Sequence, residues 1–169
     1  MLFRSATHSL YIENVVNNDA TGEDNKSGGN AINKYISQTI TLADGQDAED
    51  IKVYLTAYKP PGTNVLVYAK IKNNSDPDKL EQKNWIQLQV DSPGDITYSS
   101  KVNRLNFLDF TYSLPASVQT GPNGQAQYMS DNGTVYTGFK YFAVKIVILA
   151  EDPAIVPRVA DLRAIALQT

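Results

Sequence analysis

The chain has 169 residues with a net charge of −3, one His and no Cys. The lack of Cys excludes disulfides, thiol nucleophiles and Cys-ligated metal clusters, and a single His excludes a multi-His metal site within one chain. No two basic residues are adjacent, which argues against a general nucleic-acid binder because such proteins carry clustered Lys and Arg.

No apolar run approaches the roughly twenty residues that a membrane-spanning helix needs. Polar residues interrupt the apolar stretch near the first Met, so it does not fit a signal peptide. We therefore expect a soluble protein that is used without secretion, or a domain excised from a longer one. The length suits one domain over residues 1–169.

Alternation of apolar and polar residues with period two dominates the chain and is typical of antiparallel strands with one solvated face. The pattern predicts strands, in chain order, over 8–16, 34–42, 51–58, 65–72, 85–90, 97–103, 106–114 and 139–149. The alternation is weakest over 97–103. The segment 139–149 is fairly apolar on both faces, which predicts a central position in its sheet.

The strands over 51–58 and 65–72 are joined by the sequence KPPGT, which is typical of a tight turn. Together these segments predict a β-hairpin. Its apolar face would pack on the core, and its other face would carry Tyr54, Tyr58 and Tyr68.

The segment 156–169 fits a helix by the propensity of its Ala, Leu and Arg residues and by its apolar spacing. It also fits a strand that is apolar on both sides. Pro153 and Pro157 disfavour an earlier helix start, and an isolated helix of about a dozen residues is marginal. The context therefore favours a closing strand, paired with 139–149.

Small polar residues dominate 16–31, 74–84 and 115–133, which we interpret as loops, and the first and last of these are long. About eight or nine short strands separated by turns indicate an all-β fold. We predict an antiparallel jelly-roll β-sandwich with long loops.

Two segments are candidates for a calcium site, because they are rich in side chains with oxygen atoms and this ion takes six to eight oxygen ligands. The first is a turn with the four carboxylates Asp44, Asp47, Glu49 and Asp50, whose spacing does not match an EF-hand loop. The second is the loop 19–30. The simpler interpretations, which we favour, are a polar turn and a flexible loop of low hydrophobicity.

Four aromatic side chains are candidates for contacts: Tyr54, Tyr58, Tyr68 and Trp85. If they are exposed, they could anchor a protein interface or stack on sugar rings. Alternatively, they could form cross-strand pairs under a covering loop.

An enzymatic function is not expected. His8 has no nucleophile motif as a partner, and no pattern links Glu13 with Asp109 as a pair of catalytic carboxylates. The PPGT turn lacks the spacing of a phosphate-binding loop.

The stretch DGQDAEDIKVYLTAYKPPGT, within a longer similar segment over 40–88, resembles virion structural proteins of contractile-tailed bacteriophages, notably T4-like phages of cyanobacteria. The stretches FKYFAVKIVILA and PRVADLRAIAL resemble the closing hairpin of galactose-binding-like, or discoidin-like, jelly-roll sandwiches.

This resemblance implies a non-enzymatic structural component of a phage tail, baseplate or fibre, made in the host cytoplasm and located in the virion. Its partners would be other virion proteins and further copies of itself, with no role for nucleic acid or membrane. The alternative is a carbohydrate-binding or host-receptor-recognition domain on the same fold, since a fold alone does not decide function.

Overall fold

The computed structural model describes residues 16–91 and 98–168, and these are almost entirely β-strands and connecting segments. Helical structure in this part of the chain consists of two 3-10 turns, Leu80–Gln82 and Pro122–Gly124, and no helix is long and apolar enough to cross a membrane. The strands are β1 (Lys34–Ile36), β2 (Ile40–Thr41), β3 (Asp50–Tyr58), β4 (Thr63–Lys72), β5 (Ile86–Gln87), β6 (Gln89–Val90), β7 (Leu108–Ser113), β8 (Gln127–Met129), β9 (Val135–Thr137), β10 (Tyr141–Ala150) and β11 (Arg158–Leu167).

Most strands belong to two antiparallel sheets that pack face to face. The first sheet has the order β1-β10-β4-β5, and β2 pairs with β10 beyond β1. The second sheet has the order β11-β3-β7-β6. The predicted all-β antiparallel sandwich is confirmed, whereas its jelly-roll connectivity stays a prediction.

The core lies between the two sheets and is built by the apolar positions of the alternating pattern. β10 lies between β1 and β4, which confirms its predicted central position. The phenol of Tyr112 is buried in the core and donates a hydrogen bond of 3.1 Å to the carbonyl of Val65. The fully buried positions of β3, β4, β7 and β10 include Ile51, Val53, Leu55, Val65, Val67, Tyr112 and Val144.

The predicted hairpin over 51–58 and 65–72 is wrong, because β3 and β4 lie in different sheets. The Pro60-Pro61-Gly62 connection carries the chain from one sheet to the other instead of returning it beside itself. Gly62 has φ of 85°, as such a turn requires. The apolar faces of the two strands therefore meet across the core.

Two further pairings differ from the prediction. β11 is a strand, as predicted, but it pairs with β3 at the edge of the second sheet and not with β10. The predicted strand over 85–90 is two short strands, because β5 pairs with β4 in the first sheet and β6 pairs with β7 in the second. Likewise, the single strand predicted over 34–42 is two short strands, β1 and β2.

The segment 115–133 is not wholly a loop. Residues 127–137 form the hairpin β8–β9, with the Tyr128 and Tyr136 rings stacked at 5.7 Å. The signal for this turn was Asn132-Gly133, a common hairpin pair, and Gly133 has φ of 85°.

Several sequence predictions fall partly or wholly beyond the described residues. His8, Glu13 and all but the last residue of the strand predicted over 8–16 lie outside them, as does Thr97, the first residue of the strand predicted over 97–103. Residues 98–103 are irregular and do not form the weaker strand predicted there.

Candidate functional site

The four predicted aromatic contacts do not form an exposed platform. Tyr58, Tyr68 and Trp85 are buried and Tyr54 is half-buried, so three of the four lack the exposure that a protein interface or a sugar platform would need. The phenol of Tyr58 bonds to the carbonyl of Ser100, and the guanidinium of Arg158 lies 4.9 Å from the Tyr58 ring. The segment at Ser100 covers Tyr58, and residues near Asp24 and Ala31 cover Trp85 and Tyr68. The alternative of aromatic packing under a loop therefore describes Tyr68 and Trp85 better.

Residues 17–31, which we call the covering loop, lie over the outer face of the first sheet. The polar side chains of this loop bond to each other. Asp19 accepts hydrogen bonds of 2.9 Å from the backbone of Thr21 and from the amide of Asn30. The amide N–H of Trp85 bonds to the carbonyl of Asp24 at 2.8 Å. The segment therefore folds onto the sheet, and the interpretation as a flexible loop is wrong.

An ion pair is fully buried beneath the covering loop. Glu23 is 1% exposed and Lys145, on β10, is 0% exposed. The Glu23 carboxylate lies 2.8 Å from the ammonium groups of both Lys145 and Lys34, and it also accepts a hydrogen bond from the backbone of Ala31. This arrangement satisfies both carboxylate oxygens and fixes the loop to the sheet.

Aromatic rings complete the surroundings of Lys145. Its ammonium lies 4.7 Å from the centre of the Tyr68 ring and 4.8 Å from that of Trp85. The Lys70 ammonium lies 4.6 Å from the same indole ring. Two of the predicted aromatic residues thus stabilise buried cations and are not available to a partner.

A second network attaches the 73–84 loop to the β8–β9 hairpin. The Lys83 ammonium lies 2.6 Å from Asp76 and 2.7 Å from Asp78. Asp76 also accepts a hydrogen bond of 2.7 Å from Tyr128, and Asp78 accepts one of 2.7 Å from Ser130. Every member has a protein partner, so we assign the network a structural role.

Both buried carboxylates should make the fold sensitive to acid. Burial alone would raise the pKa of Glu23 and of Asp76, but hydrogen bonds from Lys145 and Lys34 to the first, and from Lys83 and Tyr128 to the second, hold each pKa below its ordinary value. A carboxyl group of this kind stabilises the fold above its unfolded pKa, and this contribution is lost as the pH falls towards its folded pKa.

We therefore expect the free energy of unfolding to fall as the pH drops below about 4.5, the ordinary range of carboxyl groups. Urea unfolding at a series of pH values measures this. Glu23→Gln should flatten the dependence, whereas Glu81→Gln, at an exposed position, should leave it unchanged. An equally steep dependence in Glu23→Gln would contradict the assignment.

The four carboxylates of the acidic turn do not converge on one point. Asp44 pairs with Lys140 at 2.6 Å, and Asp50 accepts a hydrogen bond of 2.8 Å from the backbone of Ile51. Within residues 16–91 and 98–168, no group of three or more carboxylate or imidazole side chains could hold a metal ion. The segment 43–46 forms a bend at Asp44-Gly45, as the polar-turn interpretation predicts.

The outer edge of the first sheet carries exposed apolar side chains. Tyr35 is 54% exposed and Ile36 is 51% exposed on β1, and Ile40 on β2 and Ile32 before β1 are also exposed. Large apolar residues that cluster at one edge are typical of an interaction surface. We call residues 32–41 the apolar edge.

Alternate residues of β1 direct their backbone N–H and C=O groups away from the sheet. Asn33 accepts a hydrogen bond from Ile148, and Ser37 donates one to Val144. Hydrogen-bonded positions alternate along an antiparallel pair, so the backbone N–H and C=O groups of Tyr35 also face β10. The backbone groups of Lys34 and Ile36, which lie between these positions, therefore point outward. No strand of the described residues pairs with this side.

The other edges of the two main sheets carry features that disfavour edge-to-edge pairing. β11 has a register shift between Val159 and Asp161, and Arg158, Asp161 and Arg163 place charges along it. β5 and β6 have two residues each. β1 and β2 are also short, and their register with β10 shifts by one residue between them. The apolar edge differs from β11 in that its large exposed side chains are apolar and its one charge, on Lys34, is paired.

In comparisons with known proteins, no family model, no curated protein and no solved structure matches this chain.

Proposed function

We propose that this protein is a non-enzymatic structural building block that assembles by pairing its apolar edge with the same edge of a second copy. The observation that carries the proposal is the edge strand β1, which has outward backbone groups and large exposed apolar side chains. Such a strand is a template for adding another strand to the sheet.

The charge distribution supports a second copy as the partner. Lys34 is the single charged residue between Ala31 and Ala43, and its ammonium is paired with Glu23. Two such edges can approach in antiparallel orientation without like-charge repulsion. A two-fold axis would make the interface self-complementary and would join two five-stranded sheets into one.

We further propose a phage virion, in its tail or baseplate, as the setting of this assembly. The support for this setting is the sequence resemblance over 40–88 and over the closing strands. Repeated copies joined through sheet edges would suit such a particle.

Ile36→Lys should convert the assembled protein to monomers, because it places a charge at the centre of the apolar edge. Ile165→Lys is the matched control, since Ile165 is an exposed residue on β11, the protected edge. Ile36→Pro should also give monomers, because it removes an outward N–H without disturbing the bonds to β10. Sedimentation equilibrium over a range of protein concentrations measures the result.

Three outcomes would contradict the proposal. These are a monomeric wild type at every concentration, unchanged association of Ile36→Lys, and equal loss of association in Ile165→Lys.

A further inference from the structure

An open cavity of about 810 Å³ lies beside the position where the chain crosses from β5 to β6. Because β5 and β6 join different sheets, the gap between the sheets is not closed there by a continuous strand. The walls come from the beginning of β4, from the segment that connects β5 and β6, and from Lys59 and Tyr98. The apolar edge does not contribute to this cavity.

Lys59 lines the cavity and is 7% exposed. Its backbone is held on both sides, because its N–H bonds to the hydroxyl of Ser99 and its carbonyl accepts the Ser99 amide. Its ammonium lies 5.5 Å from the centre of the Tyr98 ring and 5.2 Å from that of Phe110. The position of the cation is therefore fixed by the fold.

The ammonium of Lys59 has no acceptor among the described residues. Other buried lysines differ, since Lys145 pairs with Glu23, Lys83 with Asp76, and Lys70 bonds to two carbonyls. Fully buried side-chain nitrogens in the described part of the chain all have partners. The unpartnered Lys59 ammonium therefore reaches the cavity surface, where burial lowers its pKa and an anion would restore lost solvation.

The rest of the lining limits which anion fits. Asn64, Gln87 and Tyr98 supply neutral polar groups and an aromatic ring, as in sites that hold hydroxyl groups. Glu151 also lines the cavity, and its carboxylate would repel a ligand with several negative charges. A ligand with one carboxylate and many hydroxyls satisfies both conditions.

We propose that this cavity binds an acidic sugar of the uronate class, with its carboxylate on the Lys59 ammonium and its hydroxyls on the neutral polar lining. The site is separate from the apolar edge. Binding and assembly can therefore succeed or fail independently.

The test is titration of the full chain with D-glucuronate and with D-galacturonate, each of which carries one carboxylate, followed by calorimetry and by amide chemical shifts. We expect one or both to bind and to shift the amides of Ser99 and Gln87. Glucose lacks the carboxylate and acetate lacks the hydroxyls, so each should bind at least about tenfold more weakly.

Lys59→Met keeps the length of the side chain and removes the cation, so it should weaken uronate binding by about tenfold or more. Lys101→Met, at an exposed position, should bind as the wild type does. If Lys59→Met does not fold, the amide shifts of the wild-type protein still test whether uronate binds in this cavity. Four outcomes would each overturn the proposal. These are absence of uronate binding, amide shifts that map away from Ser99 and Gln87, binding of acetate as tight as that of uronate, and unchanged uronate binding by folded Lys59→Met.

Discussion

Glu23→Ala is expected to lower the free energy of unfolding by about 3–5 kcal/mol, because it leaves the Lys145 ammonium buried without its counter-ion. The change also removes the acceptor of the Ala31 amide and of Lys34. Urea unfolding, followed by circular dichroism at neutral pH, measures the loss. The matched control is Glu81→Ala, at an exposed position, which should change the free energy by less than about 0.5 kcal/mol.

Removing both charges separates the cost of an unpaired ion from the value of the pair. In the double variant Glu23→Leu with Lys145→Met, neither charge of this pair remains, so much of the loss in Glu23→Ala should be recovered. A Glu23→Ala protein as stable as the wild type would contradict the buried pair. A double variant less stable than Glu23→Ala would show that the pair is not where the cost arises.

Gly29→Ala is expected to displace the covering loop and to cost about 1–3 kcal/mol. A Cβ at this position would lie 2.4 Å from the backbone nitrogen of Glu23 and 2.6 Å from backbone atoms of Gly22 and Thr21, and none of these can rotate away. Trp85, the single Trp of the chain, lies under the loop and reports its position. Its fluorescence emission should shift to longer wavelength in the variant.

Gly45→Ala is the control for the general cost of replacing a glycine. Gly45 has φ of 77° and no atom within 4 Å of its would-be Cβ, so the substitution should cost about 1 kcal/mol from the backbone alone. It should not move the Trp85 emission. An unshifted emission maximum in Gly29→Ala would show that the loop tolerates the side chain and that the close approach is not required.

Period-two alternation predicted the long strands within a few residues but not their partners. It predicts which side of a strand is buried, and β3 and β4 both bury the expected side. A buried side can face the core from either sheet, so the same pattern is compatible with a hairpin and with two strands opposed across the core. The short crossing connection decides between them, and its Pro-Pro-Gly residues occur in both kinds of turn.

The buried ion pair could not be predicted from its local sequence. Glu23 lies among small polar residues that indicate a solvated loop, and its partner Lys145 is 122 positions further along the chain. One signal was present, because the outer face of 139–149 carries Ala143 and Val147, which are too apolar for a face open to water. Such a face indicates that another segment covers it, but it does not identify which segment, and only the central position of the strand was predicted from it.

The crossing connection between β3 and β4 also affects the order in which the protein can fold during synthesis. Because these neighbours do not pair with each other, Lys72 pairs with Tyr141, and Leu55 pairs with Phe110 and with Leu162, all much further along the chain. β10 supplies the pairing of β1, β2 and most of β4, so the first sheet cannot form until that strand has left the ribosome. Contacts of this range slow folding. Until β10 emerges, the apolar side of β4 and the edge of β1 are open to association with other nascent chains.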